Sequence, residues 1–307
     1  MNGLLGSLEG GSPALEKKKK ATLYAILVTA ALLVLVLCAL LITTIVVGVK
    51  SRTPNTNGTN TSGTGDSSNA PELLATSDLK ADATNLMLLD GSHPYLGTAP
   101  QTVLLELGRP DAPDAQDGFA YAYSTAKGSA AATAEAASAL NTMMADFYRQ
   151  SKDNNLFIKA YEKGKNNGDE YATGEAFSFS FWVEEEKSYS GDVRTVSIYD
   201  WIYKNAYKYG FVRLYPDAED AEKASLLRYV GTAHAAYLKS SGKTLTQYLE
   251  LLRGYSATSP LSLKDSGKHS AYYIAPGEAQ LIPDESKYTF SVSSDNLGGL
   301  IVTYRKK

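Results

Sequence analysis

The stretch from Trp201 to Pro216 reads WIYKNAYKYGFVRLYP, and a second apolar stretch, LLRYVG, occupies residues 226–231. Aromatic and aliphatic side chains recur at helical spacing before Gly210, and glycine readily adopts the left-handed conformation found at helix ends. Asp200 stands at the start of this pattern and can cap the helix. The two stretches therefore predict a helix over 199–209 and a strand over 226–231.

Segments on both sides of this pair alternate between helical and strand patterns. The alanine-rich segment 130–151 spaces its apolar residues as an amphipathic helix does, whereas FSFSFWV at 177–183 alternates as a half-buried strand does. Thr244 and Gln247 have the spacing of a capping box at the start of another helix. Further short strands are predicted at 156–161 and on both sides of a loop within 84–106. These patterns predict a domain that combines strands with helices.

The chain changes character beyond Pro260, where short apolar segments alternate with turn residues. AYYIA, QLIP, YTFSVS and GLIVTY read as four strands, and SDNLGG between the last two reads as a turn. We predict a small antiparallel β meander over 259–307, appended to a main domain over 76–258.

The composition excludes several classes of protein. Apolar residues make up 44% and charged residues 21% of the 307-residue chain, so a folded domain is expected. The formal net charge of −3 is unfavourable for binding nucleic acid. A single cysteine excludes a disulfide framework and a thiolate zinc cluster. Any metal site would have to draw its imidazole ligands from three histidines.

Residues 21–49 contain no charged side chain. At about 1.5 Å per residue, a helix of this length exceeds the ~30 Å hydrocarbon core of a bilayer, so we expect a transmembrane helix. Lys17 to Lys20 precede it, and this positive charge predicts a cytoplasmic tail over 1–20. Residues 50–75, rich in Ser, Thr, Asn and Gly, are expected to form a flexible linker. The sequence thus predicts a single-pass protein of the cell membrane whose C-terminal domain is extracellular.

Several segments together resemble the extracytoplasmic zinc D-alanyl-D-alanine carboxypeptidases of the vancomycin-resistance (VanY) type. The resemblance rests on WIYKNAYKYGFVRLYP followed by LLRYVGTAHAAYL, and on the earlier segments LMLLDGSHPYL and YATGEAFSFS. It implies an α+β fold with an antiparallel-sheet core and flanking helices. It also implies a bacterial cell-wall enzyme that removes the terminal D-alanine of a peptidoglycan stem peptide. In that family two histidines and an aspartate hold zinc, and a glutamate acts as the general base.

The functional positions of that family hold other residue types in this sequence. With YATGEAFSFS and RYVG fixing the register, the resemblance assigns the zinc-ligand positions to Tyr171, Ser178 and Leu226. It assigns the general-base position to Lys223 and a substrate-binding arginine position to Glu162. A leucine offers no lone pair, and neutral hydroxyls are poor zinc ligands. We therefore predict that the zinc of the family has been lost, that no cofactor is bound, and that the domain folds without metal.

The predicted function is noncatalytic. The emptied groove is expected to bind a peptidoglycan stem peptide or a cell-envelope protein, with Lys223, Tyr171 and Arg228 as possible binding residues. Lys223 and Glu162 carry charges opposite to those of the family residues they replace, so they can attract each other or a peptide carboxylate. Alternatively, Lys223 lies on a solvated surface. Two other functions stay open, namely D,D-carboxypeptidase activity through an unrecognised site and a purely structural role in docking a partner.

Overall fold

The structure is a computed structural model, and the residues that it describes fall within one compact unit, Ser67–Lys307. They are residues 70–89, 92–95, 104–106, 123–126, 128–165 and 167–307. The predicted cytoplasmic tail, the predicted membrane helix and most of the predicted linker lie outside these ranges. Within the described part, no helix has both the length and the hydropathy needed to cross a bilayer.

Strands and short helices alternate along the described chain. The helices are α1 (Ala134–Ser151), α2 (Asp200–Asn205), α3 (Ala221–Ser225), α4 (Thr232–Ser241) and α5 (Leu245–Leu252). The first nine strands are β1 (Leu73–Thr76), β2 (Leu104–Glu106), β3 (Ala130–Thr133), β4 (Leu156–Lys159), β5 (Tyr161–Glu162), β6 (Ala176–Val183), β7 (Ser188–Asp192), β8 (Phe211–Arg213) and β9 (Leu227–Tyr229). The C-terminal strands are β10 (Leu261–Ser262), β11 (Ser270–Ile274), β12 (Gln280–Pro283), β13 (Tyr288–Ser294) and β14 (Leu300–Lys306).

A five-stranded antiparallel sheet carries the main core, as predicted. Its strands follow the order β4-β6-β9-β8, and β7 also pairs with β6. The register places Phe157 opposite Ser180 and Lys159 opposite Ser178. Because side chains alternate along a strand, these four share one face of the sheet and leave the other face apolar. That apolar face packs against α1, and the buried residues of this core include Leu140, Met143, Phe147, Leu156, Ile158, Phe177 and Phe179.

The segments before the main sheet differ from the prediction in two places. Residues 84–89 contain a turn at Asn85 and Leu86 instead of a strand. Leu86 is nevertheless buried, which is why its apolar neighbourhood resembled a strand in the sequence. The predicted helix 130–151 begins four residues late because its first residues form β3. The Thr133 hydroxyl accepts a hydrogen bond from the Ala136 amide at 3.3 Å, so the helix starts at this cap.

The helix predicted over 199–209 consists of α2 and a 3₁₀ turn, Ala206–Tyr209. Asp200 does not cap it, because Asp200 is already the first helical residue. Its carboxylate still lies in the first turn, where the helix dipole favours a negative charge. Gly210 ends the segment with φ of 87°, as its position in the sequence predicts.

The C-terminal strands do not form the predicted meander. Their sheet has the order β10-β11-β14-β13, so β11 pairs with β14 and not with the strand that follows it in sequence. The QLIP strand, β12, pairs instead with β1. The first described strand therefore begins at Leu73, inside the segment 50–75 that was predicted as linker. Leu73 and Leu281 pack on one apolar cluster, which provides the buried contact that a polar linker lacks.

Gly210→Ala should destabilise the fold more than Gly242→Ala does. Both glycines end a helical segment at positive φ, which costs an alanine about 1–2 kcal/mol. A Cβ at Gly210 would also lie 2.7 Å from the Tyr229 ring and 3.1 Å from the Gly231 carbonyl carbon, whereas nothing lies within 4 Å at Gly242. We expect Gly210→Ala to cost roughly 1–3 kcal/mol more in urea unfolding. Equal costs would contradict the close approach of these segments.

Candidate functional site

Two of the predicted zinc-ligand positions are in direct contact. Tyr171 ends the 3₁₀ helix Asp169–Tyr171, and Ser178 lies on β6. The Tyr171 hydroxyl lies 2.8 Å from Ser178 Oγ and 3.0 Å from Glu222 Oε1. Because an ionised carboxylate only accepts hydrogen bonds, Tyr171 donates to Glu222 and accepts from Ser178. Ser178, Tyr171 and Glu222 thus form a hydrogen-bonded row of three side chains.

A lysine completes the group. Lys159 Nζ lies 2.6 Å from Glu222 Oε1 and 5.2 Å from the centroid of the Tyr171 ring. Lys159 and Glu222 keep 42% and 47% of their side-chain surface exposed. An exposed ion pair of this kind contributes only about 0–1 kcal/mol to stability. The Lys159 ammonium therefore remains available to a competing anion.

The third position that the resemblance assigned to a zinc ligand holds an apolar, buried residue. Leu226 is 2% exposed and packs with Tyr171 and Ala176. Burial, and then the Glu222 carboxylate, raise the pKa of the Tyr171 hydroxyl far above its usual range. Tyr171 therefore stays neutral at physiological pH. A leucine, a neutral phenol and a serine do not suit zinc, which prefers imidazole, thiolate and carboxylate ligands. Across the described residues, no group of three or more His, Cys, Asp or Glu side chains has a metal-binding arrangement.

Arg228 is not available to a ligand, contrary to the prediction that it binds in the groove. Its side chain is 1% exposed, and Nη2 lies 3.1 Å from the Glu175 carboxylate. The same nitrogen donates to the Thr84 carbonyl at 3.0 Å, and Nη1 donates to the Glu170 carbonyl at 3.4 Å. Burial raises the pKa of Glu175, and the Arg228 guanidinium opposes that shift. Arg228 is a buried structural residue because its backbone lies on β9, in the middle of the sheet.

Lys223 and Glu162 do not pair with each other. Lys223 is exposed on α3, where its backbone amide donates to the capping residue Asp220 at 2.8 Å. Glu162 lies on β5 and accepts a hydrogen bond from Ser129 Oγ at 3.4 Å. The solvated alternative for Lys223 is therefore the observed one. The ion pair beside Tyr171 joins Lys159 and Glu222, two residues that the sequence analysis did not select.

A cleft of about 370 Å³ opens beside this group on the outer face of the sheet. Its lining includes Phe157, Lys159, Ser178, Ser180, Tyr189 and Glu222. The sequence contained one signal for Lys159, since LFIK alternates and directs Phe157 and Lys159 away from the core. It contained none for Glu222, which lies 63 positions further along the chain in a run that resembles an exposed surface.

Comparisons with known proteins agree on the scaffold. No protein-family model matches the chain. The D-alanyl-D-alanine carboxypeptidase of Enterococcus faecium is 29% identical over 110 residues, which are 34% of this chain and 35% of that protein. The structure of the vancomycin-resistance D,D-dipeptidase VanXYg with a D-Ala-D-Ala phosphinate analogue has 18% identity and a TM-score of 0.56, covering 73% of this chain and 94% of that chain. The resemblance to VanY-type D,D-carboxypeptidases is confirmed.

The VanY-type comparison extends to a D,D-pentapeptidase VanY from a VanB-type resistance cassette, which was solved in complex with Zn(II). It covers 41% of this chain and 87% of that chain at 18% identity, with a TM-score of 0.28. At 18% identity, the match to VanXYg demonstrates a shared fold and does not transfer residue roles. The chain spans 35% of the length of the Enterococcus faecium relative. The roles of Tyr171, Ser178 and Glu222 must therefore be argued from this chain alone.

The contact between Tyr171 and Ser178 predicts non-additive stability changes. Tyr171→Phe removes the hydroxyl that joins Ser178 to Glu222, and it should lower the free energy of unfolding by about 1–2 kcal/mol. Ser178→Ala should cost a similar amount because it leaves the buried phenol short of a partner. The double variant should cost less than the sum by at least ~0.5 kcal/mol, since no hydroxyl is then left unpaired. Strict additivity in urea unfolding would show that the two hydroxyls do not interact.

Proposed function

We propose that this protein is a noncatalytic, membrane-anchored relative of VanY-type carboxypeptidases that binds peptidoglycan stem peptides outside the cell. The observation that carries the proposal is the neutral pair of Tyr171 and Ser178 beside buried Leu226, with Ser178 in the lining of an open cleft. A carboxypeptidase of this type needs a metal-bound water, and these side chains do not suit the metal. The cleft remains wide enough for a peptide terminus.

The peptide carboxylate is proposed to bind Lys159. A free C-terminal carboxylate carries a full negative charge, and Lys159 is the lysine that lines the cleft. Its present partner, Glu222, is held in an exposed ion pair that a ligand carboxylate can replace at small cost. Ser180 lines the same cleft and offers a hydroxyl to the peptide backbone. We assign carboxylate binding to Lys159 and not to Lys223, because Lys223 is exposed and does not line the cleft.

The N-terminal sequence supports the proposed location outside the membrane. The uncharged run 21–49, with Lys17 to Lys20 before it, supports a single anchor with the N-terminus in the cytoplasm. Peptidoglycan lies on the other side of that membrane, where the C-terminal unit would be placed. The alternative partner is a cell-envelope protein. In that case the domain would dock this protein, and the cleft would hold no peptide.

Catalysis through a different set of residues is the main alternative. Ser178 is the nucleophile that the site offers, and Tyr171 is the group that would take its proton. Because burial and Glu222 raise the pKa of Tyr171, its phenolate is too rare at neutral pH to act as a base. Lys159 forms an ion pair with Glu222 as an ammonium, which has no lone pair to accept the Ser178 proton. The geometry therefore favours binding over hydrolysis.

Two variants of the cleft should shift peptide affinity in opposite directions. Lys159→Ala should weaken binding of a stem pentapeptide ending in D-Ala-D-Ala about tenfold or more, because it removes a charge-assisted contact. Glu222→Gln should strengthen binding, because it removes the carboxylate that competes for Lys159. Calorimetry of the purified full chain measures both changes.

Lys223→Ala is the matched control, since it deletes an exposed lysine next to Glu222 that does not line the cleft. It should bind the pentapeptide as the wild type does, and a pentapeptide amide should bind the wild type more weakly than the free acid. If the wild type binds no pentapeptide, the docking alternative replaces peptide binding. Release of free D-alanine during the titration would contradict the noncatalytic proposal.

A further inference from the structure

Three aromatic side chains form a row on the outer face of the five-stranded sheet, with Tyr189 in contact with the other two. The ring centroid of Tyr189 lies 5.1 Å from that of Phe157 and 5.2 Å from that of Trp182. Each of the three is partly exposed, and none belongs to the core that packs on the opposite face. Phe157 and Tyr189 also line the cleft beside Lys159. Core packing therefore does not account for these three rings, which we call the aromatic trio.

Polar groups surround the aromatic trio. The indole nitrogen of Trp182 donates to Glu184 at 2.8 Å. Ser190 lines the cleft and donates to Glu186. A pyranose ring presents C–H groups on its faces, which stack on aromatic rings, and hydroxyls on its rim, which bond to carboxylates and serines. The combination of ring faces with carboxylates and hydroxyls at the rim matches a sugar better than it matches an apolar peptide.

The aromatic trio lies at a suitable distance from the proposed carboxylate site. Ser178 and Trp182 are four residues apart on β6, which corresponds to about 13 Å along a strand. An extended peptide covers that distance with about four residues. In peptidoglycan, the other end of the stem peptide is joined to a sugar of the glycan strand. A stem peptide of four or five residues with its carboxylate at Lys159 would thus bring its sugar to the aromatic trio.

We propose that the aromatic trio is a carbohydrate subsite that stacks one pyranose ring of the glycan strand while the cleft holds the stem peptide. The inference rests on the proposed peptide-binding function and extends it from a peptide to a glycopeptide. Tyr189 forms the middle of the subsite and Trp182 its outer end. The protein then distinguishes a stem peptide attached to its glycan from a free peptide.

Tryptophan fluorescence provides a direct test, because the chain contains only Trp182 and Trp201. Trp201 lies 5.9 Å from Phe147 in the core, so Trp201→Phe leaves Trp182 as the single reporter. We expect its emission to shift to shorter wavelength when the full chain is titrated with an N-acetylglucosamine–N-acetylmuramic acid disaccharide that carries a stem peptide. The same peptide without sugar should leave the emission unchanged. The matched Trp182→Phe variant, which reports from Trp201, should remain silent with both probes.

Affinities measured in parallel separate the sugar contact from the peptide contact. Trp182→Ala should weaken the disaccharide-peptide about fivefold to tenfold and leave the free peptide unaffected, because Trp182 does not line the cleft. Tyr189→Ala should weaken the disaccharide-peptide by a similar factor, whereas Tyr189→Phe, which keeps the ring, should not. If the disaccharide-peptide binds no more tightly than the free peptide and Trp182 gives no shift, the subsite is wrong and the peptide-binding proposal stands. If chitotetraose binds and the free peptide does not, the subsite stands and the peptide-binding proposal is wrong. If no probe binds, both are wrong.

Discussion

The buried ion pair between Arg228 and Glu175 is the interaction on which the rest of the site depends. Both side chains are almost completely removed from solvent, and the guanidinium also bonds to the carbonyls of Thr84 and Glu170. Arg228, on β9, thereby connects three segments. These are Glu175 just before β6, Thr84 in the segment before the sheet, and the 3₁₀ helix that ends at Tyr171. Removing one member of a buried pair typically costs about 3–5 kcal/mol because the other charge is left without a partner.

The bonds of Arg228 explain why the region around Tyr171 has a defined shape although its side chains do not suit a metal. The Arg228 bond to Glu170 fixes the backbone just before Tyr171, and the phenol then reaches Ser178 and Glu222. Leu226 closes the remaining position with apolar packing. The charges that remain, on Lys159 and Glu222, neutralise each other at the surface. A fold that resembles the VanY type is therefore held together here by hydrogen bonds and packing, beside an open cleft.

The sequence predicted the parts of the fold that local patterns encode. The strand over 177–183, the capping box at Thr244 and the left-handed Gly210 all appear in the structure, because each depends on neighbouring residues. The predicted meander is wrong because β12 pairs with β1, about 200 positions earlier in the chain. Periodicity carries no information on pairings between strands so far apart. The contact of Lys159 with Glu222 was missed for the same reason. The prediction that Arg228 binds a ligand was wrong, because the sequence of a short strand does not show whether a charged residue in it is buried.

The most direct test of the account is the zinc stoichiometry of the purified full chain, measured by mass spectrometry after dialysis against zinc. The matched variant carries Tyr171→His, Ser178→Asp and Leu226→His, which restore the ligand types that zinc prefers. A noncatalytic domain without a zinc site should show no bound zinc in the wild type and an unchanged melting temperature when a chelator is added, whereas the triple variant should retain zinc. One zinc ion per wild-type chain, lost together with stability on chelation, would contradict the account.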